Sequence, residues 1–345
     1  MDSPTAETKA HHADLSFLWL EITPRCNLEC VHCYADSAPQ RPLYGELTTK
    51  EWCAVLAEAA SLGCRQVQFI GGEPTLHPHL ADMISFAASR GYDFIEVFTN
   101  ATRIDESLLK LFKDKGVHVA VSFYSDDPDV HDSITRSAGS FKRTVSNLRR
   151  LVSASVPIPA AVIETHENLG HTESAKAFLQ MIGITNIGSD LFRAVGRGAA
   201  KLASPEPFAS LCGECWKGKL CVTSSGDIFP CVFSRFAEVG RAQNEVEATL
   251  NGLPLSDFRM SFREYCETRR HKSPTVMRHE SCNPTCSPCS PDAFIECAPG
   301  GTRCQPSTSC APSLSKCMPS VTSPCGPDRS CGPTCAPSGS CGPSD

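Results

Sequence analysis

Three cysteines, Cys26, Cys30 and Cys33, lie in the segment PRCNLECVHCYADS with the spacing C-x3-C-x2-C and with no obvious fourth partner nearby. Three thiolates on one loop can bind three irons of a four-iron, four-sulfur cluster and leave the fourth iron open. Metal sites with a free coordination position are typically catalytic, whereas closed four-ligand sites are structural. The spacing therefore predicts a catalytic iron–sulfur centre. Taken alone, it also suits a zinc site or three unrelated buried thiols.

A second motif, Gly71-Gly72-Glu73-Pro74, follows an apolar run. Adjacent glycines let the backbone adopt positive φ and approach a ligand closely. Glu73 can accept a charge-assisted hydrogen bond from a ligand ammonium group. A glycine pair by itself also fits an ordinary strand-to-helix turn, but its position after the cysteine loop predicts that both contribute to one ligand site.

Polar residues also end the next predicted strands. Thr99 and Asn100 close the third strand, Ser122 closes the fourth, and Arg136 follows downstream. Solvated loop side chains are the alternative interpretation, above all for Arg136. Arg193 and Arg197 could face a substrate, with a plain surface position as the alternative. Asp190 and Asp227 are candidates for proton transfer by position only.

The elements that must position these residues alternate between strand-like and helix-like segments. The predicted strands are FLWLEI, QVQFI, FIEVFT, VHVAVSF, PIPAAVIE and ITNIGSD. Helices lie between them: Thr48 or Thr49 caps the first, and Asp105 and Gly116 bound the third. This alternation predicts an α/β fold with a parallel sheet, a partial (β/α)6 version of the TIM barrel. Catalytic groups of such barrels lie at the C-terminal ends of the strands, where both motifs are.

Over about residues 16–200, the cysteine loop and the GGEP motif resemble the radical S-adenosylmethionine (radical SAM) enzymes. The resemblance implies that S-adenosylmethionine chelates the open iron of a [4Fe-4S] cluster. It also implies that an electron from the cluster cleaves the carbon–sulfur bond, and that the resulting 5′-deoxyadenosyl radical abstracts hydrogen from a substrate. The implied cofactor-binding residues are His32 beside the adenine, Gly71, Gly72 and Glu73 at the methionine amino group, Ser122 and Arg136 at the ribose and carboxylate, and Thr99 and Asn100.

A second cysteine set, Cys212, Cys215, Cys221 and Cys231, surrounds a predicted β-hairpin with Ser225-Gly226 at its turn. This region resembles the SPASM and twitch extensions, which carry auxiliary iron–sulfur clusters, and the resemblance implies one such cluster here. Cys282, Cys286 and Cys289 extend the pattern, but the later gaps depart from it, so a second cluster stays open. A four-cysteine zinc knuckle is the alternative. Cys53 and Cys64 are expected to be buried thiols.

Composition narrows the class of protein. The chain has 345 residues and a formal net charge of −6, which gives no argument for a nucleic acid or an anionic membrane as partner. Its apolar run FLWLEI is too short to span a bilayer, and its first residues lack a secretory signal pattern. We therefore expect a cytosolic protein. Cytosolic thiols stay reduced, so the 21 cysteines indicate metal sites rather than disulfides.

The predicted organisation has four parts. They are a flexible N-terminus at 1–15, a radical SAM partial barrel at 16–204, an auxiliary-cluster region at 205–280 and a tail at 281–345. The tail is dominated by Cys, Pro, Ser and Gly, and it cannot bury enough apolar surface to offset its ordering entropy. We expect it to be ordered only when a metal or a partner holds it.

Radical SAM enzymes with this extension most often modify peptides, so the resemblance implies a maturase for a ribosomally synthesised precursor peptide. Crosslinking, oxidation and epimerisation are the open alternatives for the reaction. The segment at 1–15 is too short for a fused leader-binding domain, so a separate recognition protein or direct reading of the precursor is expected, together with flavodoxin or ferredoxin as electron donor. A small-molecule substrate and a non-catalytic iron–sulfur or zinc scaffold are the alternatives.

Overall fold

The computed structural model describes residues 15–201, 206–213, 215 and 217–272. The predicted ligands Cys282, Cys286 and Cys289 lie outside the described residues, as does the predicted tail. The strands are β1 (Phe17–Glu21), β2 (Gln66–Ile70), β3 (Phe94–Phe98), β4 (His118–Phe123), β5 (Pro159–Glu164), β6 (Asn186–Leu191), β7 (Lys219–Val222), β8 (Asp227–Phe229) and β9 (Gly240–Arg241). The helices are α1 (Thr49–Ser61), α2 (Leu80–Ser89), α3 (Glu106–Lys115), α4 (Pro128–Thr135), α5 (Ser140–Ser153), α6 (Thr172–Met181), α7 (Val246–Leu250) and α8 (Leu253–Lys272).

Within the described residues, one sheet runs in the order β6-β5-β4-β3-β2-β1-β7-β8-β9. From β1 to β6, each strand pairs in parallel with the next along the chain. Helices connect these strands, which confirms the predicted α/β fold with six parallel strands. The parallel arrangement brings the carboxyl ends of β1 to β6 to one edge, where the two sequence motifs follow β1 and β2.

The hairpin of β7 and β8 continues this same sheet. β7 pairs in parallel with β1, with Phe17 opposite Lys219, and β8 then pairs antiparallel with β7. The predicted hairpin is therefore confirmed, but its attachment to the barrel strand was not foreseen from the sequence. Because of this attachment, β1 has hydrogen-bonded neighbours on both sides.

Local sequence signals fix several helix ends. The Thr48 hydroxyl accepts a hydrogen bond from the Glu51 backbone N–H, and the Glu51 carboxylate accepts one from Thr48 in return, which is a capping box. Asp105 caps α3 as predicted, and Gly116 ends it in the left-handed conformation. The unpredicted helix α4 has Asp127 as its N-cap and a proline in its first turn.

The core lies on both faces of the parallel strands. Every residue of β1 is buried, and Trp19 and Trp52 are among the largest side chains with almost no exposure. Strands that are buried on both faces need such nearly continuous apolar sequence. A smaller apolar cluster of Val31, Tyr124 and Ile134 packs under the cysteine loop and supports it from the side of α4.

Candidate active site

The cysteine loop leaves β1 and is held by main-chain hydrogen bonds at several points. The backbone N–H groups of Glu29 and Val31 donate to the carbonyls of Thr135 and Ile134 at the end of α4, at 3.1 and 3.0 Å. The Cys33 N–H donates to the Cys30 carbonyl at 3.3 Å, which forms a tight turn between two of the three thiols. The loop is therefore part of the folded framework.

The three thiols line one cavity and receive several hydrogen bonds. Cys26 Sγ accepts from the Leu28 N–H at 3.3 Å and from Asn100 Nδ2 at 3.7 Å, and Tyr124 donates its hydroxyl to Cys30 Sγ at 4.0 Å. Hydrogen bonds to ligand sulfurs are a principal means of setting the potential of an iron–sulfur cluster. These donors are placed where a cluster would need them.

Burial disfavours the deprotonated, metal-binding form of the cysteines in this loop. It raises the pKa of the Cys30 thiol to about 12, with the neighbouring Cys33 as a second cause, and it raises the pKa of Cys26 as well. Thiolates bind metals only after losing their protons, so a bound metal must supply the compensating charge. A cationic iron core would do so at this loop.

Arg197 holds the cysteine loop from the turn that follows β6. Its guanidinium donates to the carbonyls of Cys30 and Ser37 at 2.9 and 2.7 Å and to the Asp36 carboxylate at 3.0 Å. A Cβ on Gly196 would lie 2.4 Å from the carbonyl oxygen of Cys33, so only glycine fits beside the loop. The position of Arg197 favours a role in supporting the loop over the expected contact with substrate.

The GGEP turn approaches the main chain of the cysteine loop. Gly72 N–H donates to the Thr23 carbonyl at 2.7 Å, and Glu73 N–H donates to the Arg25 carbonyl at 2.8 Å. A Cβ on Gly72 would lie 2.1 Å from that Arg25 oxygen, and one on Gly71 would lie 2.5 Å from the Thr23 oxygen. The glycine pair is thus required for contact between β2 and the cysteine loop, and both glycines also line the cavity.

The Glu73 carboxylate is fully buried and saturated with protein donors. Its Oε1 accepts from the Thr75 N–H and hydroxyl at 3.1 and 2.7 Å and from the Thr99 hydroxyl at 2.6 Å. Its Oε2 accepts from the Asn100 N–H at 2.8 Å. Burial raises the pKa of Glu73, while these hydrogen bonds oppose the rise. The carboxylate therefore joins the ends of β2 and β3, and its predicted contact with a ligand ammonium stays a prediction.

The other predicted cofactor residues divide between cavity and surface. His32, Thr99, Asn100 and Ser122 line the cavity together with the three thiols. Arg136 instead lies on the surface, 52 % exposed, with Nη1 at 4.0 Å from the exposed Glu29 carboxylate. Its proposed contact with a cofactor stays a prediction.

His32 has the features of an unused ligand group. Its Nδ1 is buried without a hydrogen-bond partner, and its ring meets Tyr124 edge-on at a centroid distance of 5.2 Å. Burial lowers the pKa of His32 to about 4, so the ring is neutral near pH 7. A neutral ring with a buried, unsatisfied nitrogen at the cavity wall suits contact with a heteroaromatic ligand.

The wall formed by β6 carries a buried ion pair. Arg193 Nη2 lies 2.9 and 2.7 Å from the two oxygens of the Asp190 carboxylate, and both side chains line the cavity. The guanidinium also lies 5.5 Å from the centroid of the Phe233 ring. Asp227 lies at the hairpin, where it pairs with Ser225 and Arg241, so of the two acids considered for proton transfer only Asp190 reaches the cavity.

Residues 20–180 match the model of the Radical SAM superfamily. The chain carries a radical SAM domain. Two relatives agree with this assignment. The mycofactocin maturase MftC of Mycobacterium ulcerans (strain Agy99) is 31% identical over 200 residues, which are 57% of this chain and 53% of the relative. The PqqA peptide cyclase of Granulibacter bethesdensis is 28% identical over 169 residues, or 49% of this chain and 45% of the relative. The chain thus spans about half the length of these relatives.

Solved structures share the fold over much of this chain. Streptococcus suis SuiB bound to precursor peptide SuiA aligns with a TM-score of 0.55 at 14% identity, covering 77% of this chain and 76% of that one. Native anSMEcpe with bound AdoMet and Cp18Cys peptide aligns with a TM-score of 0.56 at 15% identity, covering 72% and 83%. At this identity the likeness concerns the fold. Among the described residues, no helix is long and apolar enough to cross a membrane.

The residues of the radical SAM domain fit the [4Fe-4S] cluster and S-adenosylmethionine that this family uses. Cys26, Cys30 and Cys33 line the cavity as a set of three soft sulfur donors, and His32 contributes a buried nitrogen without a partner. The part of the chain that the structure describes contains no group of three or more His, Cys, Asp or Glu side chains suited to a single metal ion. A multi-iron cluster sets a different requirement, because each thiolate binds its own iron.

The second cysteine set follows the radical SAM domain and is partly gathered. Cys212 Sγ and Cys215 Sγ are 3.7 Å apart, and the Cys215 thiol also contacts that of Cys231. Cys221 lies in β7, where its first electrostatic neighbours are the ion-paired Glu21 and Arg235. The structure therefore brings three of the four predicted thiols together and places the fourth in β7, opposite Trp19 of β1.

Two aromatic residues of the site were not found from the sequence. Tyr124 follows β4 directly after Phe123 and reaches Cys30, and Phe192 follows β6 and packs edge-on against His32 at a centroid distance of 6.5 Å. A signal was available for Tyr124, which is the first residue after a predicted strand, whereas Phe192 directly follows β6 only with the strand end that the structure shows. As aromatic residues they are equally typical of a core, which hides that signal.

Proposed function

We propose that this chain is a radical SAM enzyme that modifies a ribosomally synthesised peptide in the cytosol. The observation that carries the proposal is the convergence of Cys26, Cys30 and Cys33 on one cavity that the ends of β2, β3, β4 and β6 also line. Three thiols with shared access leave one iron of a four-iron cluster free for a ligand. A purely structural metal site would be closed by a fourth protein ligand.

In this proposal the three cysteines hold the cluster, and the cavity residues bind S-adenosylmethionine. With both groups bound, the site supplies the one-electron chemistry that generates a hydrogen-abstracting radical. The protein residues set its surroundings: Asn100 and Tyr124 donate hydrogen bonds to ligand sulfurs, and His32 offers a neutral ring. Gly71 and Gly72, with Thr99 and Ser122, also line the cavity and provide backbone and hydroxyl groups there.

A peptide substrate is supported by the names of the relatives, a maturase and a peptide cyclase, and by the peptides bound to SuiB and anSMEcpe. The cavity wall offers suitable chemistry, because the Asp190–Arg193 pair presents both a donor and an acceptor beside apolar side chains such as Phe192 and Phe233. A low-potential donor, flavodoxin or ferredoxin, supplies the electron. A separate recognition protein or the cavity mouth itself reads the precursor.

We assign an auxiliary iron–sulfur cluster to the second cysteine set as part of this proposal. Its support is the contact between the thiols of Cys212, Cys215 and Cys231 beside the β-hairpin. Hairpins suit such sites because they hold thiolates at fixed separation with backbone N–H groups nearby.

The test uses the full chain, reconstituted anaerobically with iron and sulfide. With dithionite and S-adenosylmethionine, we expect 5′-deoxyadenosine by mass spectrometry, and none from the C26A/C30A/C33A variant. A precursor peptide encoded beside the gene should change in mass in the same reaction. Zinc in place of iron would overturn the proposed chemistry, and nucleoside formation with an unchanged peptide would overturn the substrate class alone.

A further inference from the structure

Cys266 is a buried thiol of α8 that lies next to the second cysteine set. It is 4% exposed, and its Sγ is 4.0 Å from the carbonyl oxygen of Gly213. Gly213 directly follows Cys212 in the turn that leads to Cys215, so Cys266 faces the turn that carries these two thiols. The Cys231 thiol contacts the Cys215 thiol of this turn. These contacts link cysteines of three separate segments: Cys215 contacts Cys212 and Cys231, and Cys266 contacts the main chain of the turn between the first two.

Aromatic packing fixes the orientation of α8 at this point. Phe258, Phe262 and Cys266 are spaced four residues apart and so lie on one face of the helix, and all three are buried. Phe208 packs against this face, with ring centroids 5.9 Å from Phe258 and 5.2 Å from Phe262. Phe208 lies only four residues before Cys212 in the sequence. Its packing against α8 therefore holds this face of the helix beside the turn that carries Cys212 and Cys215.

Cys221 has different surroundings. Its electrostatic neighbours are first Glu21, then Arg235, and only then Cys231. Glu21, the last residue of β1, and Arg235, in the segment between β8 and β9, form an ion pair, and Arg235 lies 5.4 Å from the centroid of the Phe229 ring. A ligand thiolate there would meet a carboxylate on one side, whereas the Cys215 thiol contacts those of both Cys212 and Cys231.

We propose that Cys266 is the fourth thiolate of the auxiliary iron–sulfur cluster, with Cys212, Cys215 and Cys231, and that Cys221 is not a ligand. The inference rests on the auxiliary cluster of the proposed function. Four protein thiolates leave every iron of such a cluster occupied, so this site is closed, in contrast to the open three-cysteine site. Cys266 also precedes the C-x2-C pair from which later ligands were expected.

The test measures iron, sulfide and zinc in the full chain, in a C26A/C30A/C33A background that removes the first cluster. We expect this background to retain iron and sulfide and to give the absorption and, after reduction, the electron paramagnetic resonance of an iron–sulfur cluster. Adding Cys231→Ser or Cys266→Ser should abolish most of that iron. Adding Cys221→Ser, which changes an equally buried cysteine of the same region, should leave the iron content unchanged.

A second variant separates ligation from folding. Phe262→Leu loosens the same face of α8 but keeps the thiol, and we expect it to retain iron even where thermal unfolding shows a lower midpoint. Retention of iron by Cys266→Ser, or its loss in Cys221→Ser alone, would overturn the ligand assignment. If the C26A/C30A/C33A protein holds no iron, the auxiliary cluster itself is overturned. If that protein instead holds zinc, and the zinc is lost with Cys266→Ser but kept with Cys221→Ser, the four-cysteine ligand set is supported and only its occupation by an iron–sulfur cluster is refuted.

Discussion

Replacing Arg197 by alanine tests whether the turn after β6 supports the cysteine loop. The variant removes the three hydrogen bonds to Cys30, Ser37 and Asp36, and the guanidinium that makes them is only 18 % exposed. A hydrogen bond from a charged donor contributes about 1.5–3 kcal/mol. The pair with the half-exposed Asp36 adds no more than about 1 kcal/mol. The two carbonyl contacts dominate, so the expected loss in free energy of unfolding is about 3–6 kcal/mol.

The measurement is urea unfolding of the full chain without cluster, followed by iron and sulfide analysis after anaerobic reconstitution. Arg136→Ala is the matched control, because that arginine also faces the loop but is 52 % exposed and lies 4.0 Å from Glu29. Its expected cost is below about 0.5 kcal/mol. An Arg197→Ala protein with wild-type stability and full iron content would refute the reasoning.

Three further predictions concern the same framework. Gly72→Ala places a Cβ 2.1 Å from the Arg25 carbonyl oxygen, so it should displace the cysteine loop, lower stability by about 2–4 kcal/mol and reduce the iron bound on reconstitution. Tyr124→Phe removes a hydroxyl donor to Cys30, so an electron paramagnetic resonance redox titration should give a more negative cluster potential at unchanged iron content. Burial lowers the pKa of His131 from 6.5 to about 4, so the unfolded chain binds this proton first and the free energy of unfolding should fall by about 2 kcal/mol between pH 7.5 and 5.

Each of these has its own control. Gly91→Ala introduces a Cβ with nothing within 4 Å, so it should cost only the strain of its left-handed backbone, about 1 kcal/mol, and keep full iron. A Gly72→Ala protein that behaves the same way would contradict the close approach. An unchanged potential in Tyr124→Phe would remove its hydroxyl from the sulfur environment. If His131→Phe leaves the pH dependence of unfolding as steep as in the wild type, another group is responsible.

The sequence predicted most of the barrel because its signals are local. Apolar runs such as FLWLEI match β1, and the caps Thr48 and Asp105 were found by their spacing to later residues. The pairing of β7 with β1 could not be predicted in this way. It joins residues about 200 positions apart, and nothing in the sequence of either strand names its partner.

Site residues that belong to a sequence motif could be predicted, whereas those whose role depends on their position in the folded chain could not. The three cysteines and the glycine pair were found from type and spacing, and they meet in one cavity. For Arg136 the sequence offered only the family resemblance and for Arg197 only its charge and position, and the fold places the first on the surface and the second against the cysteine loop. The role of the glycines in admitting the Arg25 carbonyl depends on a contact between two loops, which only the folded chain shows.

The placement of β1 between β2 and β7 has a consequence for synthesis on the ribosome. One edge of β1 finds its partner within the next 50 residues or so, but the other waits for Lys219–Val222, so a strand with four apolar residues in a row keeps an unpaired edge while most of the domain emerges. Closing so long a loop delays the final pairing and exposes the nascent chain to association with other molecules. The strand that leads into the cysteine loop is therefore the one most dependent on late folding, and chaperone supply during expression should affect the yield of iron-competent protein more than the yield of total protein.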